Sequence, residues 1–442
     1  MRTAHVLTCC VLLSAACAPP AGDPVEPGSA AVLFEGARLV AGDGRPPIED
    51  AAFLVEGAQF TQVGARGAVT VPDGTRVIDL AGKTVVPALI DAHSHLGYTN
   101  ARTANTAAAE YTRENLIDHL RRYAYYGIAA TLSMGLDRDE LPYELRADPV
   151  QGAALFLTTG RGIAMPNAGP NAAYWRDAAY GVRSEDEARA AVRELAGRQV
   201  DMVKIWVDDR NQTVTPLPPE LYRPIIEEAH TLGLRVVAHV FYLDDAKALL
   251  RAGVDGFAHG IRDLEVDDEI LDLFAERPET FVIPNLPDTP PATADLPWLE
   301  ETLLPARIED LREGVSATPP RPRLFQPQAR NLARLAAAGM RIGFGTDAGV
   351  GAPYGWSAHA ELADMVAAGM TPAAAIVAAT RTSAEILGLD RHGAIAPGMT
   401  ADFIVLDANP LDDITNTRRI DQVYLRGDRV DREALSAAWT RP

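Results

Sequence analysis

The residues best suited to chemistry in this chain are four histidines, an aspartate and a lysine, each set in or just after a short apolar run. His93 and His95 stand two apart at the end of residues 86–95, VPALIDAHSH. Alternation along a strand sends both imidazoles to one face. His239 ends the run LRVVAH, His259 ends VDGFAH, and Asp347 follows RIGFGT. Imidazoles joined by a carboxylate suit Zn²⁺ or a similar divalent ion, whereas Mg²⁺ and Ca²⁺ prefer oxygen. Taken singly, each has an ordinary reading as a solvated strand end, a hydrogen-bonded core histidine or a turn-capping aspartate. Four imidazoles at successive strand ends are harder to explain that way.

Lys204 sharpens the case. The chain has only three lysines (Lys83, Lys204 and Lys247) against 38 arginines, and this one lies inside DMVKIWV. An unpaired ammonium among apolar neighbours is costly, and burial lowers its pKa. The neutral amine can then add CO₂ to form a carbamate, which turns a cation into a carboxylate able to bridge two metals. A buried ion pair with Asp208 or Asp209 is the alternative at this stage.

The elements that must carry these residues alternate strand and helix. Strands are expected at residues 86–95, 128–133, 153–158, 202–207, 234–240, 254–258, 280–284 and 341–346. Helical stretches fall between them, among them residues 107–126, 184–197, 219–232, 244–252, 267–276 and 326–338. Ser184 and Glu187 have the spacing of a capping box. Eight strands alternating with helices predict a (β/α)8 TIM barrel within the α/β class, with its site at the C-terminal strand ends. Residues 31–84 and 390–442 read as β segments that meet in a small β-sandwich domain formed from both chain ends, around a barrel at 85–389. A Pro-rich insertion, residues 285–323, interrupts the alternation.

Composition sets outer bounds. The 442 residues carry a net charge of −19 with no basic stripe, which argues against a nucleic-acid partner. Residues 1–17 read as a signal peptide: Arg2, an apolar run too short to span a bilayer, and then Ser-Ala-Ala-Cys. That ending matches a lipobox with Cys17 as the lipidated residue, and plain cleavage is the alternative. Residues 18–30 read as a Pro- and Gly-rich linker. Cys9, Cys10 and Cys17 are the only cysteines, so the body has no disulfide although export is expected. The expected location is periplasmic or cell-envelope, with membrane contact only through a lipid anchor; homo-oligomerisation is left open.

With these residues in place, the chain resembles the amidohydrolase superfamily over nearly its whole mature length. The resemblance rests on His93/His95, Lys204, His239, His259, the TDAG starting at Thr346, and the segment GAIAPGMTADFIVLDANPL near the C-terminus. The subgroup is that of imidazolonepropionase-like enzymes, including Xaa-Pro dipeptidases with a carboxylated lysine. The resemblance implies two divalent metal ions, zinc by preference. His93, His95 and Asp347 would hold one, His239 and His259 the other, and a CO₂-derived carbamate on Lys204 would bridge them. It also implies a small-molecule substrate and hydrolysis of its C–N bond, in an N-acyl amino acid or dipeptide, by a shared hydroxide whose proton Asp347 shuttles. Arg161, Tyr242 and His359 are candidate substrate contacts, for a carboxylate, a carbonyl and the cavity mouth respectively. Esterase, lactonase or phosphotriesterase chemistry uses the same centre. A non-catalytic metal- or solute-binding lipoprotein is the reading outside enzymes.

Overall fold

Residues 89–94 are buried at every position, and the molecule is arranged around them. The structure, a computed structural model, describes residues 31–286, 289–349 and 353–441. The expected signal peptide at 1–17, the expected linker at 18–30 and Cys17 lie outside the described residues. Strand β1 (Leu89–Ser94) pairs in parallel with β2 (Ile128–Ser133), and β2 with β3 (Leu155–Thr158). Five further parallel strands follow in spatial order: β4 (Val203–Val207), β5 (Val236–Val240), β6 (Gly256–Ala258), β7 (Phe281–Ile283) and β8 (Arg341–Ile342). Their near-continuous Val, Ile, Ala and Phe content suits parallel strands covered on both faces.

Hydrogen bonds also run between these two sheets. Asp201 N donates to Thr158 O at 2.9 Å on one side. On the other, Ala92 N donates to Phe344 O at 2.9 Å and Thr346 N to His93 O at 3.1 Å. The last strand is shorter than the expected 341–346, yet residues 344–348 still bond to β1 and its extension. Gly345 permits that approach, since a Cβ there would lie 2.8 Å from His93 Cβ and 2.9 Å from His93 N.

Helices α1 (Arg113–Tyr125), α2 (Glu185–Gly197), α3 (Pro219–Thr231), α4 (Leu243–Ala252), α5 (Asp268–Ala275) and α6 (Phe325–Ala337) connect the strands. Their starts follow from capping side chains. Thr112, Ser184 and Asp267 each accept an early backbone N–H, satisfying a donor the helix leaves open. The capping box at Ser184 is half-formed, because Glu187 accepts from Arg183 N rather than from Ser184 N.

Both chain ends contribute to one eight-stranded mixed sheet. Within it Phe403–Leu406 lies antiparallel to Thr84–Pro87, the strand that leads across Ala88 into β1. Phe34, Phe53, Phe60, Phe403 and Tyr424 form its buried aromatic centre, with Phe403 and Tyr424 stacked at 4.5 Å. Within 289–323, Thr302 bonds to Tyr126 and Arg122, and Trp298 packs edge-on to the Tyr126 ring.

Candidate metal centre

Each histidine is aimed by a partner on its far side. His93 Nδ1 lies 2.7 Å from Asn285 Oδ1, just beyond β7. An amide oxygen only accepts, so Nδ1 carries the proton and Nε2 keeps its lone pair. That Nε2 is buried, has no hydrogen-bond partner, and lies 3.4 Å from Asp347 Oδ1. His95 Nε2 is 2.9 Å from the same oxygen. His259 sits at φ +76° beyond β6, its ring centre 4.9 Å from that of His93. Ligand atoms of His93, His259 and Asp347 all lie within 4.8 Å of one another. His239 ends β5, 4.5 Å from His259 between ring centres, and its Nε2 is 3.0 Å from Asp208 Oδ2.

Electrostatics favour the forms a metal needs. Burial holds the imidazoles of His93, His239 and His259 well below the usual histidine range, so they are neutral donors. Burial alone would raise the Asp347 carboxyl, but the imidazoles of His93, His259 and His95 that surround it, His95 through a hydrogen bond, hold it well below its ordinary value. Asp347 and His259 both occupy positive φ, a strained arrangement for side-chain-bearing residues. An orphaned imidazole nitrogen, neutral histidines and an ionised carboxylate fit a divalent ion.

Lys204 is fully buried on β4, with Met134 Sδ 3.4 Å from Nζ and the Trp206 ring beside it. Among the described residues no carboxylate lies within ion-pair distance of it. Burial pushes its amine down to about 7. The alternative ion pair does not form, because Asp208 turns to His239 and Arg210 while Asp209 accepts from Tyr242. Lys204, His95, His239, His259 and Asp347 all border one cavity of about 160 Å³.

The three expected substrate contacts each have partners within the protein. Arg161 donates to the carbonyls of Ala178 and Ala179 and stacks over Tyr180, bracing its own loop. Tyr242 donates to Asp209 Oδ1 at 2.8 Å. His359 is completely buried, bonded to Thr417 Oγ1 and Tyr126 O away from the cavity. Beside them stand residues to which the sequence alone assigned no role. Asp91 accepts from Thr346 Oγ1, Tyr123 OH and the amides of His93 and Thr346, which ties β1 to the segment carrying Asp347. Burial pushes its carboxyl up to about 6. Its signal was a lone acid inside an apolar run; Asn285, Arg210 and Arg262 carried none, being ordinary loop residues in sequence.

Most of the chain is similar to known proteins. A model described as the amidohydrolase family matches residues 84–430. An uncharacterised protein of Mycobacterium tuberculosis is 28% identical over 428 residues, covering 92% of this chain and 98% of its own length. The imidazolonepropionase of Streptomyces griseus is 27% identical over 385 residues, covering 83% and 88%. A Bifidobacterium longum protein, solved as a candidate prolidase, superimposes with a TM-score of 0.72 at 25% identity, covering 93% of this chain and 99% of that one.

Proposed function

Because this chain belongs to the amidohydrolase family, we propose that it hydrolyses an amide-type C–N bond of a small molecule, an N-acyl amino acid or dipeptide, at a divalent metal centre. One observation carries this reading: His93 is fixed by Asn285 so that its unpartnered Nε2 meets His259 and the Asp347 carboxylate. Relatives named imidazolonepropionase and prolidase support the C–N bond as the target.

His93, His95 and Asp347 would hold one ion, and His239 and His259 a second, zinc being the choice for this donor set. The Asp208 contact leaves Nδ1 of His239 as its free donor, the second-sphere support such ligands use. Lys204 would stand between them as a carbamate: its neutral amine attacks CO₂, an N–C bond forms and a proton leaves to solvent. The low pKa and the lack of a counter-ion support this. Bound metal supplies Lewis acidity, polarising a carbonyl and acidifying water. Asp347 takes the proton of the attacking water and passes it to the departing nitrogen. Trp206 and Leu136 bound the cavity and limit bulk water.

We extend the proposal to architecture and location. The hydrogen bonds joining β3 to β4 and β8 to β1 support one closed (β/α)8 barrel at 85–389, with the terminal sheet as a companion domain. Export and lipid anchoring through Cys17 rest on sequence alone. The test is metal content measured beside a panel of N-acyl amino acids, dipeptides, esters, lactones and phosphotriesters. Chelator-sensitive release of amino acids is the expected result. Bound metal without turnover would contradict the hydrolase reading, and turnover of esters alone would contradict the C–N assignment.

A further inference from the structure

Arg210 and Arg262 stand on the His239 side of the cavity. Arg262 Nη2 lies 3.2 Å from His239 Nε2 and donates to Val240 O at 2.9 Å. Arg210 Nη1 also lies 3.2 Å from His239 Nε2. That nitrogen cannot serve all its neighbours. Asp208 Oδ2 is a carboxylate oxygen 3.0 Å away and only accepts, so Nε2 carries the proton. Two guanidinium N–H groups therefore face an N–H. Arg210 has other acceptors in Asp208 Oδ2, at 3.1 Å, and Gly169 O, at 2.8 Å. Apart from His239, Arg262 has only Val240 O and the Phe241 ring face beside it: its Nε is buried without a hydrogen-bond partner, and no carboxylate among the described residues lies within ion-pair distance. One carboxylate, Asp208, stands against two guanidinium groups, so the wall keeps a positive charge.

We infer that Arg262, backed by Arg210, binds the α-carboxylate of the substrate and so selects N-acylated amino acids with a free C-terminus. The inference rests on the C–N hydrolase reading and supplies its specificity. A planar guanidinium fork matches a carboxylate with two parallel hydrogen bonds. Arg262, Arg210, His259 and Asp347 all line the one cavity of about 160 Å³, so an anion at Arg262 shares that small space with the proposed reaction centre.

The test uses zinc-loaded protein and two pools of probes that resist hydrolysis, N-methanesulfonyl amino acids and their carboxamides. Equilibrium dialysis with mass-spectrometric readout measures retention. Wild-type protein retains the carboxylates at least ~10-fold better than the amides, the strength of a charge-assisted contact. Arg262→Met brings the pools within about twofold, and Arg262→Gln serves if that variant does not fold. Equal retention of both pools, retention of neither, or an unchanged preference in the variants overturns the inference. The two readings fail separately. Release of amino acids without a carboxylate preference removes the subsite alone, whereas preference without release removes the hydrolase assignment alone.

Discussion

At the scale of single residues, the proposed chemistry falls on Lys204 and Asp347, which make opposite demands on their surroundings. Lys204 is buried so that its amine sits at about 7 rather than its free value. Between pH 7 and 10 the unfolded chain therefore binds the extra proton and the folded chain does not, so stability rises with pH across that window. In metal-free, CO₂-free protein the rise amounts to roughly 4–5 kcal/mol. Thermal melts across the window test this, and Lys204→Met should flatten the profile; an unchanged slope would show that the proton resides elsewhere. Lys204→Ala should lose turnover, with partial rescue by short-chain carboxylic acids and loss of the carbamate carbon signal after ¹³CO₂ labelling. Asp347→Asn should keep much of the metal while turnover falls by about 10²–10⁴. Full activity in that variant would remove its proton-shuttling role. Asn285 acts one step back. Asn285→Ala frees the His93 tautomer and should weaken metal affinity by about 10–100-fold, read by zinc titration, and the buried donor it leaves unpaired should lower stability by about 1–3 kcal/mol.

At the scale of elements, the four histidines, Lys204 and Asp347 come together because the strands that carry them converge, and the placement of the histidines and Asp347 at strand ends was legible in sequence. Apolar runs ending in His or Asp announced β1, β5, β6 and β8, and the scarcity of lysine singled out Lys204. What was not legible came from contacts between distant segments. Asn285 and Arg262 are unremarkable until β7 and β6 bring them to His93 and His239. His359 looked close to the cavity in sequence, but helix Trp356–Ala367 turns it toward Tyr126 and Thr417. Arg161 looked free, yet its loop uses it internally. Gly345 shows how tight the convergence is. Any side chain there pushes residues 344–347 off His93, so Gly345→Ala should cost on the order of 10²-fold in turnover while secondary structure by circular dichroism is retained. Wild-type turnover would show that the segment can yield without disturbing the ligands.

At the scale of the whole molecule, the terminal sheet and the parallel strands are one mechanical unit, since Thr84–Pro87 runs through Ala88 into β1 and Ala88 N bonds to Asp402 O. Phe403 is fully buried in the aromatic centre of that sheet, and Phe403→Ala should cost about 3–5 kcal/mol of stability. Chemical denaturation measures this, with turnover per folded molecule at low temperature expected to hold. The net charge of −19 disfavours a polyanion, and the cavity of about 160 Å³ fits a small substrate. The most direct measurement is a zinc titration of metal-free protein that follows amino-acid release from N-acyl amino acids. The account predicts release that climbs to a plateau at two ions per chain and is abolished in Asp347→Asn. Release that ignores the metal, or ions that bind without release, would contradict it.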